Sequence, residues 1–402
     1  MSETLTQQSP IRYRWVMLAL AWATYFCFGL VSFSLAPLAT PIMAELKLTY
    51  TQFGIAAGAW PLIYIASSYP VGIIIDRLGL KKSLSVGILV VALSAIMRSY
   101  AIDFTSLFAS VAVFGVGAPI ISIGLPKLIA SWFFGRERGT ASGIYFTGVS
   151  MGTAFSLGAT NIFILPLLGS WRNVLLFYGI IPIIIVLLWI KFAKSSTGLD
   201  IETTVFKENI WKSIFGLLRY RNIWSIVLIG TTSFMVIHSL NNWLPKILET
   251  QNLTPTLAGI LAASFSIFRI FGSLGIPRMS YILGSRKTAV TIILSITAVS
   301  IVILPLGNEY LALLCIASIG LFIGALSPLL LTILMDAREV GVKKMGAVGG
   351  LYFSFGEVGG VLGPVIIGLF KDLTGNFSTG LTILAIIVGA MLIPSRFLKE
   401  DS

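Results

Sequence analysis

The chain has 402 residues, of which 56% are hydrophobic and 11% are charged, and its formal net charge is +12. A soluble chain carries roughly 25% charged residues, so this one has too few to cover a surface that faces water, and we expect its solvent to be lipid. The composition excludes a soluble enzyme, a secreted scaffold held by disulfides and a disordered chain.

Twelve apolar runs follow one another along the chain, each close to the roughly 20 residues that a helix needs to cross a bilayer. We number them spans 1 to 12, in the order Trp15–Leu38, Tyr50–Ile74, Ser83–Ile102, Ser106–Ser131, Thr140–Leu165, Asn173–Phe192, Asn222–Pro245, Leu257–Pro277, Lys287–Leu306, Tyr310–Leu334, Gly346–Phe370 and Ser378–Phe397. Backbone amides in lipid must be bonded within their own run, and the runs lack the two-residue alternation of barrel strands. The sequence therefore predicts an all-α membrane protein with 12 transmembrane helices.

One long polar stretch, Ala193–Arg221, interrupts this series between spans 6 and 7. It predicts an N-terminal six-helix bundle over residues 1–192, a cytoplasmic linker over 193–221 and a C-terminal six-helix bundle over 222–402. Within the linker, Trp211–Leu218 has an amphipathic pattern typical of a segment that lies on a membrane surface. Span 1 is too long for the core of a cleavable signal peptide, so we expect it to remain as a membrane helix.

Lysine and arginine are distributed unevenly between two sets of loops. The termini and the loops after even-numbered spans, together with the span ends that border them, hold 21 of the 28 basic residues, the loops after odd-numbered spans hold four, and three lie in the interior of spans. Because basic loops stay on the cytoplasmic side, we expect a multi-pass protein of the cell membrane with both termini in the cytoplasm. The positive charge therefore indicates topology, and no nucleic-acid partner is expected.

The two bundles resemble each other when the chain is shifted by 207 residues. The strongest matches are pairs of basic, glycine or tyrosine residues, namely Arg12 with Arg219, Gly117 with Gly324, Arg136 with Lys343, Gly143 with Gly350, Tyr145 with Tyr352 and Gly152 with Gly359. The register slips by about two residues around spans 2 and 8. Two parallel six-helix repeats with a binding site between them are typical of one large class of secondary transporters.

The loop after span 2 carries a motif of glycine, acidic and basic residues, which are Gly72, Asp76, Arg77, Gly79, Lys81 and Lys82. The glycines allow close helix contact and a tight turn, the acid can pair with a neighbouring helix end, and the basic residues stay in the cytoplasm. This motif closely resembles the loop motif of the major facilitator superfamily, and the resemblance covers almost the whole chain. It implies two six-helix halves, a gating role for this loop and alternating access to a site between the halves.

Other stretches are similar to the anion and organic-acid branches of that superfamily, among them Leu125–Ile129, Trp132–Gly139 and Trp243–Pro245. These branches are the cyanate and nitroimidazole-type carriers, the oxalate–formate and monocarboxylate carriers, and the anion:cation symporters. The oxalate and monocarboxylate groups have an arginine within span 8, which Arg269 matches. Oxalate carriers have a lysine in span 11, where this chain has Glu357, and the Gly-Pro pair of drug antiporters is missing from span 5.

Four ionisable residues lie within the spans, where a charge costs several kcal/mol and by default marks a functional site. Arg269 in span 8 is interpreted as a clamp for a carboxylate-like substrate or as the fixed ion-pair partner of Glu357. Glu357 in span 11 is interpreted as the proton-coupling residue or as that structural partner. Lys127, near the cytoplasmic end of span 4, binds substrate, snorkels or closes a gate, and Arg98 in span 3 is expected to snorkel to the outer interface.

The remaining substrate-binding candidates are polar or aromatic residues that the resemblance places around the cavity or at the seam between the halves, namely Tyr25, Tyr145, His238, Asn241, Asn242 and Tyr352. His238 is the one histidine of the chain, and an imidazole titrates near neutral pH. A single histidine and two separated cysteines do not form a metal site, and no nucleophile with a base is visible. We therefore expect no enzyme, no catalytic residues, no metal and no cofactor.

The leading hypothesis is a monomeric secondary active transporter that moves a small organic or inorganic anion, coupled to protons. One alternative is a proton-coupled efflux pump for amphipathic or cationic compounds, which Glu357 would attract. Another, of a different class, is a membrane sensor that does not transport. Lipophilic cations should compete only with the substrate of an efflux pump, and a sensor should bind its ligand without flux.

Overall fold

The computed structural model describes residues 13–194, 220–282, 285–306, 308–336 and 341–398. These ranges form helices joined by short turns and contain no strand, which confirms the all-α prediction. Most of the linker, including Trp211–Leu218, lies outside the described residues.

The helices of the first six spans have these bounds: span 1, Tyr13–Ser32 and Ala39–Leu46; span 2, Tyr50–Ala57 and Ala59–Leu78; span 3, Leu80–Ser99; span 4, Phe104–Trp132; span 5, Gly135–Ala159 and Leu165–Leu168; span 6, Trp171–Phe192. Those of the last six are: span 7, Arg221–Glu249; span 8, Pro255–Ile282; span 9, Arg286–Ile303; span 10, Glu309–Asp336; span 11, Gly341–Thr374; span 12, Ser378–Ala390 and Leu392–Ser395. In the described part, 11 spans are long and apolar enough to cross a membrane. Span 2 is the twelfth and is broken at Gly58.

Local chemistry defines several helix ends at the loops after odd-numbered spans. Thr49 and Gln52 form a capping box at the start of span 2. Asp103 and Ser106 form another at the start of span 4, and the hydrogen bonds that Ser106 donates hold the pKa of Asp103 below its usual value. Such caps satisfy backbone N–H groups that a helix leaves without partners in its first turn. Their presence explains why the chain re-enters the membrane promptly after each short loop.

The two halves repeat one packing scheme, in which the first and fifth helices of each half make close contact. A Cβ atom at Gly152 of span 5 would lie 2.0 Å from the Phe26 carbonyl oxygen of span 1. A Cβ atom at Gly359 of span 11 would lie 2.0 Å from the Thr231 carbonyl oxygen of span 7. Since real Cβ atoms do not approach oxygen so closely, glycine is required at both positions, which the 207-residue repeat relates.

The halves meet along two seams, span 2 against span 11 and span 5 against span 8, and both seams are tight at the end that carries the odd-numbered loops. Added Cβ atoms would lie 2.5 Å from the Pro364 oxygen at Gly54, 2.3 Å from the Tyr50 oxygen at Gly368, and 2.6 Å from the Leu157 oxygen at Gly259. We call this the odd-loop end, and the backbones there touch across the seams.

The same spans are open at the other end, which we call the even-loop end. The glycines that lie there on spans 5, 8 and 11 would carry a Cβ atom with nothing within 4 Å, and they are Gly139, Gly143, Gly275, Gly349 and Gly350. Within the described part, the close approaches between the halves are therefore concentrated at the odd-loop end. The space between the halves is closed there and opens toward the even-numbered loops.

Polar contacts between the halves reinforce the closure at the odd-loop end. The Asp372 carboxylate of span 11 accepts hydrogen bonds from the backbone N–H groups of Tyr50 and Thr51 at 3.1 and 2.7 Å and from the Thr51 hydroxyl at 2.6 Å. Because Tyr50 begins span 2, a residue of one half caps a helix of the other. This cap has to break before the odd-loop end can open.

Candidate functional site

Arg269 lies midway along span 8 with its charge unpaired. Its backbone packs against Gly324 of span 10, where a Cβ atom would meet the Arg269 oxygen at 2.5 Å. The guanidinium carbon lies 5.8 Å from the centre of the Phe265 ring. Nε is buried without a hydrogen-bond partner, and the side chain is half-buried. No ion pair in the described part includes Arg269, so its positive charge remains available to a ligand.

Glu357 faces His238 rather than Arg269. Its Oε2 atom lies 3.7 Å from His238 Nε2, and the exposed fractions are 8% for the Glu357 side chain and 6% for the His238 side chain. Among the described residues, neither Oε2 nor His238 Nδ1 has a hydrogen-bond partner. The interpretation of Arg269 and Glu357 as a fixed ion pair is therefore wrong for this structure, because the acid is turned toward the imidazole on span 7.

Aromatic rings from both halves surround His238. Phe33, in the break of span 1, and Trp60, near the break of span 2, have ring centres 5.6 and 5.2 Å from the imidazole. Phe234, one turn earlier on span 7, lies 6.2 Å away in a stacked arrangement. The first two rings belong to the N-terminal half, so His238 lies at the contact between the halves. Sequence reasoning missed Phe33 and Trp60, which carry no charge to draw attention.

Two tyrosines of the N-terminal half face the charged group. The hydroxyls of Tyr25 and Tyr64 both lie close enough to Glu357 to interact electrostatically. The Tyr64 hydroxyl also forms a 2.9 Å hydrogen bond with Ser122, whereas that of Tyr25 has no protein partner in the described part. Sequence reasoning missed Tyr64. A signal for it existed, since the 207-residue shift with its two-residue slip aligns Tyr64 with Arg269.

The other mid-depth candidates have diverse surroundings. Asn241 accepts a long 3.5 Å hydrogen bond from Ser266, and its Nδ2 is buried without a partner. Asn242 instead donates to the His238 carbonyl oxygen of its own helix at 2.8 Å. Tyr145 packs against Tyr25 with ring centres 5.6 Å apart. Tyr145 therefore extends the central group through its contact with Tyr25.

Tyr352 and Lys127 lie further from that group. The Tyr352 hydroxyl donates to Ser327 at 3.0 Å within the C-terminal half, and the side chain is fully buried. Lys127 is half-buried on span 4, about 7.5 Å along the helix axis from Ser122 at 1.5 Å per residue. That displacement is toward the even-loop end, so the contact of Lys127 with substrate stays a prediction.

Arg98 does not snorkel, and that expectation is wrong. Its side chain is completely buried, and its guanidinium donates to the Val31 carbonyl oxygen at 2.6 Å and the Ser34 hydroxyl at 3.1 Å. The Phe114 ring lies 5.6 Å from the guanidinium carbon. Span 1 breaks after Ser32, which leaves carbonyl groups without helical partners at the negative end of a helix dipole. Arg98 turns inward to bind that end.

The loop motif after span 2 is partly described. Gly79 has a φ of 78° and separates the helices of spans 2 and 3, as expected for a glycine turn. Arg77 and Lys82 are exposed and Lys81 is half-buried. Gly72 and Asp76 belong to the helix Ala59–Leu78, but their side chains lie outside the described part, so the gating role of this motif stays a prediction.

The central residues bring together one unpaired cation, one acid beside an imidazole, free tyrosine and amide groups, and a wall of aromatic rings. Among the described residues, no group of three or more His, Cys, Asp or Glu side chains is placed to hold a metal ion. A guanidinium is planar and offers parallel N–H donors to a carboxylate. The arrangement is suited to binding a small anion and a proton between two helical halves.

A membrane protein of two six-helix halves with a central charged site is the class that these observations define. The chain belongs to the Major Facilitator Superfamily, whose sequence pattern matches residues 21–399. It is 26% identical to a 2-nitroimidazole transporter of Escherichia coli K12 over 365 residues, which cover 89% of this chain and 88% of the relative.

Two further similarities agree with this assignment. The chain is 24% identical to a hexuronate transporter of Bacillus subtilis over 399 residues, which cover 93% of each protein. Among solved structures, it resembles a bacterial homologue of the human lysosomal transporter Spinster in an inward-facing and unoccupied conformation. That likeness has a TM-score of 0.80 at 14% identity and covers 96% of this chain and 98% of the other. It confirms the fold.

Proposed function

We propose that this protein moves a small carboxylate-like anion across the membrane together with a proton. The observation that carries the proposal is the guanidinium of Arg269, which has no ion-pair or hydrogen-bond partner among the described residues and interacts electrostatically with His238 at the contact between the halves. An unpaired charge within a membrane span costs several kcal/mol, and by default it marks a site where a ligand supplies the missing charge. A carboxylate satisfies a guanidinium with two parallel charge-assisted hydrogen bonds. Relatives named for hexuronate and galactonate transport favour an organic acid as the ligand.

The proton requirement follows from charge balance around this site. Arg269 is positive, and Glu357 in its ionised form offsets that charge, although the two form no ion pair in the described part. Adding an anion to this balanced group would leave a net negative charge in a medium of low dielectric constant. Protonation of Glu357 removes that charge. Anion and proton therefore bind more favourably together than separately, which is the thermodynamic basis of symport.

The orientation of the protein in the membrane and the path of the substrate follow from the closed odd-loop end and the open even-loop end. The open end carries most of the basic residues, so we place it, the two termini and the linker in the cytoplasm of the cell membrane. The structure then corresponds to a state open to the cytoplasm. Transport requires a second state in which the seams separate at the odd-loop end and close at the other, by rocking of the two halves.

A second function, efflux of cationic compounds, is favoured by one observation. Glu357 is a buried acid beside the rings of Phe33 and Trp60, and aromatic rings with a carboxylate attract cations. The unpaired Arg269 opposes this reading, because it repels the same cations. A sensor that binds its ligand without transport is the third candidate, and flux of the ligand in proteoliposomes would exclude it.

Uptake into proteoliposomes tests the proposal. The probes are radiolabelled D-glucuronate, D-galactonate and 2-nitroimidazole, with an inward proton gradient, and the variants are Arg269→Ala and Lys191→Ala. Lys191 is an exposed cation on span 6 and serves as the matched control. We expect Arg269→Ala to abolish uptake of the anionic probe that wild type accumulates, while Lys191→Ala retains it. Unchanged uptake by Arg269→Ala, or inhibition by tetraphenylphosphonium, would contradict the anion site.

A further inference from the structure

The single histidine of the chain lies against a buried acid. His238 Nε2 and Glu357 Oε2 are 3.7 Å apart, slightly too far for a hydrogen bond and near enough to form an ion pair when the imidazole is protonated. His238 Nδ1 and Glu357 Oε2 have no other partners in the described part, and both residues are buried. The imidazole thus presents Nε2 toward a carboxylate oxygen that has no hydrogen-bond partner among the described residues.

The neighbouring elements bring few other titratable groups to this pair. Tyr25 of span 1 and Tyr64 of span 2 face Glu357, and Arg269 of span 8 interacts electrostatically with His238. Phenols stay neutral over the physiological pH range and the guanidinium stays charged. The two members of the pair are consequently the groups here whose ordinary pKa values lie nearest to the physiological range.

A glycine makes the close approach of this pair possible. A Cβ atom at Gly360, one turn after Glu357 on span 11, would lie 2.8 Å from Glu357 Oε2 and 3.0 Å from both His238 Nδ1 and Cε1. A methyl group at this position would displace the carboxylate, the imidazole or both from their present positions. Gly350 lies on the same span with nothing within 4 Å of its Cβ position, so it provides a matched position where a methyl group is harmless.

We propose that His238 and Glu357 form one proton-binding unit, in which the coupling proton is shared between the imidazole and the carboxylate while Arg269 holds the anion. This inference rests on the proposed function for its role in coupling. Two titratable groups at this distance in a buried site titrate as a pair and not independently. The unit takes one proton from water and returns one to water, and no other bond changes.

The N-terminal half controls which side of the membrane reaches this unit. The Phe33 and Trp60 rings cover His238 and belong to spans 1 and 2, whereas the unit belongs to spans 7 and 11. When the halves separate at the odd-loop end, these rings move away with their half and water reaches the imidazole from that side. Proton access thereby changes in step with substrate access.

The single histidine permits a test that needs no substrate. Protein labelled with ¹⁵N-histidine and purified without a polyhistidine tag gives the imidazole signals of His238 alone, which are followed from pH 4 to pH 9. We expect a titration in two steps in wild type and in Gly350→Ala. In Glu357→Gln and Gly360→Ala we expect one step, with a midpoint moved by about one pH unit or more. Melting temperatures in detergent verify that each variant is folded.

A single step in wild type that Glu357→Gln leaves unchanged would overturn the shared unit, whatever the protein transports. Uptake in proteoliposomes supplies the second readout, with the same radiolabelled anions as probes. We expect His238→Gln to retain at least one third of wild-type anion exchange without a proton gradient and to lose accumulation against a gradient. Wild-type accumulation by His238→Gln would also overturn the inference. Failure of Arg269→Ala to affect uptake would instead reject the anion site and leave the titration result standing.

Discussion

The two halves share one fold but offer different chemistry to the space between them. The C-terminal half supplies the ionisable groups His238, Arg269 and Glu357. The N-terminal half supplies rings and hydroxyls, with Trp60 against the imidazole and Tyr64 facing the acid. Tyr64 is the repeat counterpart of Arg269, so one position has become neutral in one half and charged in the other. Around the imidazole, the charged groups among the described residues thus come from one half, and the other half contributes rings and hydroxyls.

Two arginines within the spans differ in the partners of their guanidinium groups, although each has at least one N–H group without a partner among the described residues. Arg98 in the N-terminal half is bound by the Val31 carbonyl and the Ser34 hydroxyl at the break of span 1. Arg269 in the C-terminal half has no such partners in the described part of the chain. A buried cation that is bound by helix-end carbonyls stabilises the fold, whereas one left without partners is free to bind a ligand.

Removing the positive charge of Arg269 in the C-terminal half should have the largest effect on anion binding. We expect Arg269→Met to weaken binding of the transported anion by about 100-fold or more, since a bidentate charge-assisted pair contributes about 3 kcal/mol. Arg269→Lys keeps the charge without the paired donors and should lose about tenfold. Equilibrium binding of the radiolabelled anion to purified protein measures both, and equal affinity in all three proteins would refute the clamp.

Neutralising the acid should separate coupling from binding. We expect Glu357→Gln to lower accumulation of the anion about tenfold or more and to retain anion exchange. Glutamine does not titrate, so the variant cannot take up and release the coupling proton at this position. Accumulation by wild type should increase as the outside pH falls, and accumulation by the variant should not respond to pH. Initial rates in proteoliposomes between pH 5 and 8 measure this, and a pH response that survives in the variant would show that another group carries the proton.

Breaking the cap across the halves should have a smaller effect, on conformation. Asp372→Ala removes the partner of the Tyr50 and Thr51 N–H groups, which costs about 1 kcal/mol and shifts the equilibrium about fivefold toward the state open at the odd-loop end. The readout is maleimide labelling of Phe53→Cys, which is buried against Trp243 in this structure, after replacement of Cys27 and Cys315 by serine.

Asp103→Ala is the matched control for that experiment, since Asp103 caps a helix at the same end but within one half. Labelling that accelerates equally in both variants would show that loss of stability, and not the contact between the halves, controls exposure.

The smallest effect is expected for a neutral residue of the N-terminal half. Tyr64→Phe removes a hydroxyl that is already bonded to Ser122 and lies near Glu357. We expect a loss of anion affinity of about threefold or less, since a neutral hydrogen bond contributes about 1 kcal/mol or less when its partner can be rehydrated. Equilibrium binding measures it beside Arg269→Met. A loss as large as that of the arginine variant would remove the asymmetry between the halves.

Most of the fold follows from the sequence, because lipid imposes simple rules. Length and hydropathy define the spans. The 207-residue repeat pairs Gly152 with Gly359, and the structure places both at close helix contacts. The breaks in spans 1 and 2 do not follow, because they depend on contacts with other spans. The break after Ser32 also misled the prediction for Arg98, whose partner is a backbone carbonyl that the sequence does not mark.

The site follows from the sequence in part. Arg269, Glu357 and His238 stand out because ionisable groups are rare in apolar runs. Their mutual arrangement does not, since rotation of spans 7, 8 and 11 about their axes decides whether the acid turns to the arginine or to the imidazole. Phe33 and Trp60 are indistinguishable in sequence from the many rings that only pack.

A thermal-shift measurement tests most directly the claim that Arg269 binds the transported anion. Wild type and Arg269→Met are melted with D-glucuronate, D-galactonate, 2-nitroimidazole or tetraphenylphosphonium at concentrations up to 10 mM, about the upper end of useful affinities. The account predicts that an organic anion raises the melting temperature of wild type and leaves that of the variant unchanged. An equal shift in both proteins, or stabilisation of wild type by tetraphenylphosphonium alone, would contradict it.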